Sequence, residues 1–88
     1  MRREIRFTAH AWEDYVFWAD TDRKVLVRIN RLIEAAAREP FAGMGKPEPL
    51  RNQLSGCWSR RIDHEHRLVY RAEEAQLVIL QCRYHYDT

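Results

Sequence analysis

All three prolines and all three glycines of the chain fall between residues 40 and 56. Proline removes a backbone donor and fixes φ, and glycine loosens it, so Phe41 to Leu50 cannot propagate a regular element. The chain is thereby divided into a leading half with helical apolar spacing and a trailing half that reads as strands. A loop this long in so small a domain is usually functional or disordered. The 88 residues leave room for a single domain spanning 1–88, which excludes a two-domain enzyme or a large cofactor fold. Such a chain buries only roughly 60–65% of its unfolded surface. A hydrophobic content of 45% is nevertheless enough for a globule.

In the leading half, Glu4 to Phe7 alternates polar and apolar, the period of a short strand. Thr8 stands at an N-cap position before a helix whose apolar face is expected at Trp12, Tyr15, Val16 and Ala19, with Glu13, Asp14 and Asp20 in solvent. Thr21 and Asp22 break this helix and can cap a second one. There, Val25, Ile29, Leu32, Ile33 and Ala36 form a stripe that runs out at Glu39-Pro40. Beyond the loop, Cys57 to Ile62, His66 to Ala72 and Gln76 to Tyr86 read as strands, joined by the turns Asp63-His64-Glu65 and Glu73-Glu74-Ala75. The order β-α-α-β-β-β predicts an α+β fold, a small antiparallel β-sheet covered on one face by two α-helices.

Charge alone is weakly informative, because Lys and Arg exceed Asp and Glu by only two. Nucleic-acid binding would have to come from where the charges stand. Lys24, Arg28, Arg31 and Arg38 line one side of the second helix and read as a solvated face. Lys46, Arg51, Arg60, Arg61, Arg67, Arg71 and Arg83 lie in or after the loop. Strand parity puts Arg67 and Arg71 on the face of Val69, with Leu68 and Tyr70 on the other. Arginine on a partly apolar face is either a snorkelling edge charge or an anion clamp.

Glu48 sits between Pro47 and Pro49, which present its carboxylate from stiff backbone. His85 lies between Tyr84 and Tyr86, and histidine is a natural proton donor near neutrality. His64 and His66 have alternate spacing but no evident third ligand, so no metal and no cofactor is expected. Ser55 and Cys57 lack a base nearby in sequence, and the two cysteines, Cys57 and Cys82, are too few for a disulfide framework. No apolar run approaches a membrane span and no signal core follows Met1-Arg2-Arg3-Glu4, so the expectation is a soluble cytoplasmic domain without membrane association. A carboxylate, several arginines and a histidine are the ingredients of metal-free RNA cleavage: a base for the ribose 2′-hydroxyl, cations over the phosphate, and an acid for the departing 5′-oxygen.

Several longer motifs point further. Gly45-Lys46-Pro47-Glu48-Pro49-Leu50, Leu54-Ser55-Gly56 with Trp58-Ser59-Arg60-Arg61-Ile62, Glu65-His66-Arg67-Leu68-Val69-Tyr70 and Cys82-Arg83-Tyr84-His85-Tyr86 closely resemble the YoeB/Txe family of RelE-like toxins. The resemblance extends to the aromatic first helix and covers nearly the whole chain. It implies the toxin of a toxin–antitoxin pair, an endoribonuclease that cuts mRNA in the ribosomal A site and is neutralised by a YefM-like antitoxin. It also implies the RelE-like fold and a homodimer. By the same resemblance Glu48 is the general base, Arg67 the phosphate-stabilising cation and His85 the general acid. Lys46 and Arg61 are supporting cations, and Tyr86 helps to hold substrate.

Two features depart from the family pattern. Arg51 stands where relatives commonly carry lysine, which preserves phosphate contact but not an easy proton transfer. Asp87 and Thr88 follow the tyrosine at which relatives often stop. The competing expectation is a non-enzymatic toxin of the same fold that binds DNA gyrase. Such a binder would need neither a base at Glu48 nor an acid at His85.

Overall fold

A computed structural model describes residues 2–85, so the expectations for Tyr86, Asp87 and Thr88 fall outside the described residues. Strand β1 (Glu4–Phe7) leads into helices α1 (Ala9–Thr21) and α2 (Arg23–Arg38). Then come a two-residue strand β2 (Glu48–Pro49), a 3-10 turn at Asn52–Leu54, and strands β3 (Trp58–Arg61), β4 (Arg67–Ala72) and β5 (Gln76–Gln81). The sheet order is β1-β5-β4-β3-β2. From β2 to β5 neighbours are antiparallel, as expected, but β1 runs parallel to β5 at the edge, so the sheet is mixed. The physical reason is the helical pair, which carries the chain back across one face before the hairpins begin and so allows a parallel pairing.

Local chemistry sets the helix limits. The Thr8 hydroxyl accepts from Ala11 N at 3.1 Å and starts α1. Asp22 then acts twice: its N–H donates to Trp18 O, closing α1, while its carboxylate accepts from Lys24 N and Val25 N, opening α2. The predicted stripe of α2 is buried at Ile29, Leu32, Ile33 and Ala36, joined by Ala37. These residues pack against Leu68, Tyr70, Leu77 and Ile79 of the central strands. Each such aliphatic side chain contributes about 1.5–3 kcal/mol of burial.

Helix α1 is rotated from its expected phase. Ala11, Asp14 and Trp18 are its buried residues, whereas Trp12 and Val16 are exposed. Trp12 instead stacks on Tyr15 and meets Phe7 edge-on in an aromatic group beside β1. Asp14 is turned inward because its Oδ2 accepts from Cys82 N at 3.1 Å.

The last strand is also shorter than its composition suggests, ending at Gln81 rather than Tyr86. At Cys82 the α1 side chains take over the backbone groups that a ladder would use, since Trp18 Nε1 donates to Cys82 O at 2.8 Å. Just before this exit the β4–β5 pairing jumps from Tyr70↔Ile79 to Val69↔Gln81, a bulge that leaves Leu80 without an opposite residue. No helix among the described residues is long and apolar enough to cross a membrane.

Candidate active site

The helix-free face of the sheet carries the first group of candidates. Glu48 pairs with Ser59 and Ser59 with Val69, while Arg61 pairs with Arg67. Directly paired residues share a face, and so do residues two apart on one strand. Glu48, Ser59, Arg61, Arg67 and Val69 therefore all belong to the open face, as parity predicted for Arg67. Two strand spacings and one pleat repeat separate Glu48 from Arg67, roughly 12 Å between Cα atoms. Side chains of glutamate and arginine length can close much of that span. The floor beside them is a small apolar cluster of Leu50, Cys57 and Val69, with Leu54 and Leu80 packed against it.

Glu48 thus lies in a strand, not in irregular loop as the Pro/Gly content had suggested. Pro49 has no N–H to give, yet β2 lies at the sheet edge, where proline is tolerated. The approach to Glu48 is held from beneath by Arg60. Grouped by charge with the loop cations in the sequence, Arg60 is in fact fully buried under the helices. Its guanidinium donates to the carbonyls of Glu39 (2.6 Å), Ala42 (2.8 Å) and Met44 (3.0 Å), and its Nε to Tyr70 Oη (3.0 Å). Tyr70 Oη donates onward to Pro40 O at 2.6 Å. Burial pushes the Tyr70 phenol above its ordinary range, a rise that Arg60 only partly opposes. Five-donor arginine suits this task because it can bind several diverging carbonyls at once. The turn closes at Gly45, whose φ is +84° and whose added Cβ would stand 2.6 Å from Leu32 Cδ2. Gly45 O accepts from Arg61 N at 2.7 Å, which aligns Lys46 and Glu48 alongside β3.

Arg67 is buried, and its fork is fixed from the hairpin side: Nη1 donates to Asp63 O (2.7 Å) and His66 O (3.1 Å). The hairpin is itself an Asx turn, in which Asp63 Oδ1 accepts from Glu65 N and His66 N. Burial would raise the Asp63 carboxyl, but these two backbone bonds outweigh it and hold the group below its ordinary value.

The segment after β5 bends back onto the start of β4. Arg67 N donates to Tyr84 O at 3.0 Å, so His85, the next residue, enters beside Arg67. Tyr84 reaches this place with φ +65°, a left-handed conformation that costs a non-glycine residue about 1–3 kcal/mol. Its N–H donates to His66 Nδ1 at 2.7 Å. Arg83 lies over the rings of Phe17 (3.5 Å) and Tyr84 (4.6 Å), tying the same segment to α1.

The fold brings Glu48, Arg61 and Arg67 to one end of the open face, with Lys46 just ahead of β2 and the backbone of His85 following Tyr84 beside Arg67. Arg51 is not part of that gathering. It follows Leu50, which bonds to Cys57, so the chain runs from Glu48 toward the opposite end of β3. Arg71 is paired with Glu73 at 3.0 Å, and Arg28 donates to the carbonyls of Arg61 and Ile62 instead of lying free in solvent. Sequence reasoning missed Arg60 and His66. Parity could have found the first, because it places Arg60 on the core face with Trp58. Both thiols are free and buried. Burial raises Cys57, and burial followed by the Asp14 charge pushes Cys82 up to about 12. Neither thiol is a nucleophile near neutrality. Among the described residues no three of His, Cys, Asp and Glu gather as a metal group.

A family profile described as YoeB-like toxin of bacterial type II toxin-antitoxin system matches residues 7–86. This chain belongs to that family. Toxin YoeB of Streptomyces coelicolor is 67% identical over 82 residues, covering 93% of this chain and 98% of the relative. The YoeB/ParE toxin from Agrobacterium tumefaciens superposes with a TM-score of 0.90 at 49% identity, covering 94% and 99% of the two chains. The Staphylococcus aureus YoeB dimer superposes with a TM-score of 0.90 at 42% identity over 98% of this chain and all of that one. A heterotetrameric YoeB-YefM toxin-antitoxin complex from S. aureus also superposes, with a TM-score of 0.88, 42% identity and the same coverage. This YoeB-like chain thus shares with them the mixed sheet and paired helices described above.

Proposed function

We propose that this YoeB-like toxin is a ribosome-dependent mRNA endoribonuclease that cuts in the ribosomal A site and so stops translation. Glu48 removes the proton from the ribose 2′-hydroxyl, and the resulting oxygen attacks the adjacent phosphorus. Arg67, with Lys46 and Arg61 in support, stabilises the charge that builds on the phosphoryl oxygens. His85 gives its proton to the departing 5′-oxygen. The P–O5′ bond breaks as the P–O2′ bond forms, leaving a 2′,3′-cyclic phosphate and a 5′-hydroxyl. As written, the three side chains supply base, cation and acid, and the reaction calls on no metal ion.

The observation that carries this reading is the strand register that sets Glu48, Arg61 and Arg67 on one open face, with Tyr84 O bonded to Arg67 N so that His85 follows there. A YefM-type antitoxin partner and a homodimer are proposed from the S. aureus relatives, one seen as a YoeB dimer and one in a YoeB-YefM complex. A cytoplasmic location follows from a ribosomal target.

Purified protein with programmed ribosomes tests the proposal, in the presence of a chelator. Cleaved mRNA ending in a cyclic phosphate is expected. Glu48→Ala, Arg67→Ala and His85→Ala are each expected to lower the rate about 10²–10⁴-fold with folding intact. Intact mRNA at micromolar toxin would overturn the proposal, and inhibition of gyrase supercoiling under the same conditions would point to a contact poison.

A further inference from the structure

No step of the chemistry above uses His66, yet it stands between the two elements on which that chemistry depends. Its ring is buried, with Trp18 edge-on at 4.9 Å and Glu65 Oε1 3.6 Å from Nε2. Its Nδ1 accepts the Tyr84 N–H at 2.7 Å, so that nitrogen carries no proton and the hydrogen of the neutral ring sits on Nε2. Tyr84 holds a left-handed φ of +65°, which an L-residue abandons unless its surroundings impose it. Two consecutive residues impose it here. The side chain of His66 takes the Tyr84 N–H, and the main chain of Arg67 binds the Tyr84 carbonyl.

We propose that His66 is the positioning residue for the candidate acid: its unprotonated Nδ1 locks the Tyr84 turn and thereby sets the direction in which His85 is presented to Arg67. This inference rests on the nuclease reading of the site. The lock requires Nδ1 to be an acceptor, because a donor at that place would face the amide N–H instead of receiving it. The charged groups around the ring are Asp63 and Glu65 from the hairpin, Arg67 from β4, and Asp22 and Arg83, which line the same cleft.

Two amide substitutions separate positioning from mere space filling. In His66→Asn the side-chain oxygen can take the place of Nδ1, whereas in His66→Gln the amide extends toward the place of Nε2 and leaves the Tyr84 N–H without an acceptor. Uniformly ¹⁵N-labelled wild-type protein is expected to show a ¹⁵N–¹⁵N coupling across the Tyr84 N–H to His66 Nδ1 hydrogen bond. With programmed ribosomes, His66→Gln is expected to lose about 10²-fold in kcat with KM little changed, the loss that follows a misplacement of about 1 Å. His66→Asn is expected to recover most of that loss. Absence of the coupling, or equal kcat in both variants and wild type, overturns the proposal. A wild-type chain that shows the coupling but cuts no mRNA overturns the nuclease reading instead.

Discussion

The loop that leads to Glu48 and the segment that leads to His85 are both irregular, but they are held by different kinds of chemistry. Under the loop lies a guanidinium that stays charged at any pH a protein survives, donating to three main-chain carbonyls and a phenol. The C-terminal segment is held by several separate contacts: the Asp14 carboxylate on Cys82 N, the Trp18 indole on Cys82 O, the His66 imidazole on Tyr84 N, and the Arg67 amide on Tyr84 O. The loop therefore depends on one residue, while the hold on the segment is divided among several. The proposed base thus stands on a mount that one substitution can remove, and the proposed acid on one that no single substitution removes entirely.

Removing the loop anchor should have the largest effect. Arg60→Met leaves three buried or half-buried carbonyls and Tyr70 without their shared donor. A loss of about 3–5 kcal/mol is expected in urea unfolding. A stability unchanged by this substitution would mean that the loop holds itself.

The next effect concerns the C-terminal segment and appears in alkali. The Cys82 thiol has an ordinary value of 9.0 and is pushed up to about 12 in the fold. A raised acid keeps its proton in the folded state, so the stability it carries is complete below pH 9 and is lost as the pH climbs toward 12. The loss grows by about 1.4 kcal/mol per pH unit above 9 and reaches about 4 kcal/mol only near pH 12. Wild type and Cys82→Ala, compared from pH 8 upward, should converge. Parallel curves would show that the thiol is not protected by the fold.

Tyr70→Phe should come third, at about 2 kcal/mol, since Pro40 O and Arg60 Nε each lose a partner. The smallest effect belongs to the exposed pair of Arg2 and Glu34. The hydrogen bond from Arg2 holds the Glu34 carboxyl below its ordinary value, so any contribution is present above the normal carboxylate range and fades as pH falls. Glu34→Gln should leave the melting temperature unchanged, as solvent-exposed pairs usually do. A shift as large as that of Tyr70→Phe would place the weight of the fold at its rim rather than at its anchors.

What could be read in the sequence follows the range of the interactions that decide each feature. The stripe of α2, the double role of Asp22 and the parity of β4 all depend on neighbours within a few residues, and all three are legible. Two features of the sheet are less so. The four-residue alternation at Glu4 to Phe7 announces a strand but not its partner, so the parallel edge with β5 could not be seen. Glu48 and Pro49 lie within a stretch dominated by Pro and Gly, yet an edge position makes a short pairing possible.

The phase of α1 failed for a different reason. Aromatic side chains surround that helix, and the contact that turns Asp14 inward comes from Cys82 far along the chain. The same contact ends β5 early, so one distant pairing accounts for both departures. At the candidate site, Glu48 and Arg67 are brought to one face by a register that parity partly foretold. His66 invited comparison with His64 as a ligand pair, because spacing carries no sign that a ring nitrogen is already engaged by a backbone amide.

The joint at Asp22 has a consequence for how this small toxin can vary. One residue terminates one helix with its amide and initiates the next with its carboxylate, so the two cylinders meet with no spacer between them. Inserting even one residue there would detach the carboxylate from Lys24 and Val25 or the amide from Trp18, and would rotate the α2 stripe away from the strands it covers. Length variation among functional relatives should accordingly gather in exposed turns such as Glu74-Ala75 and avoid this hinge.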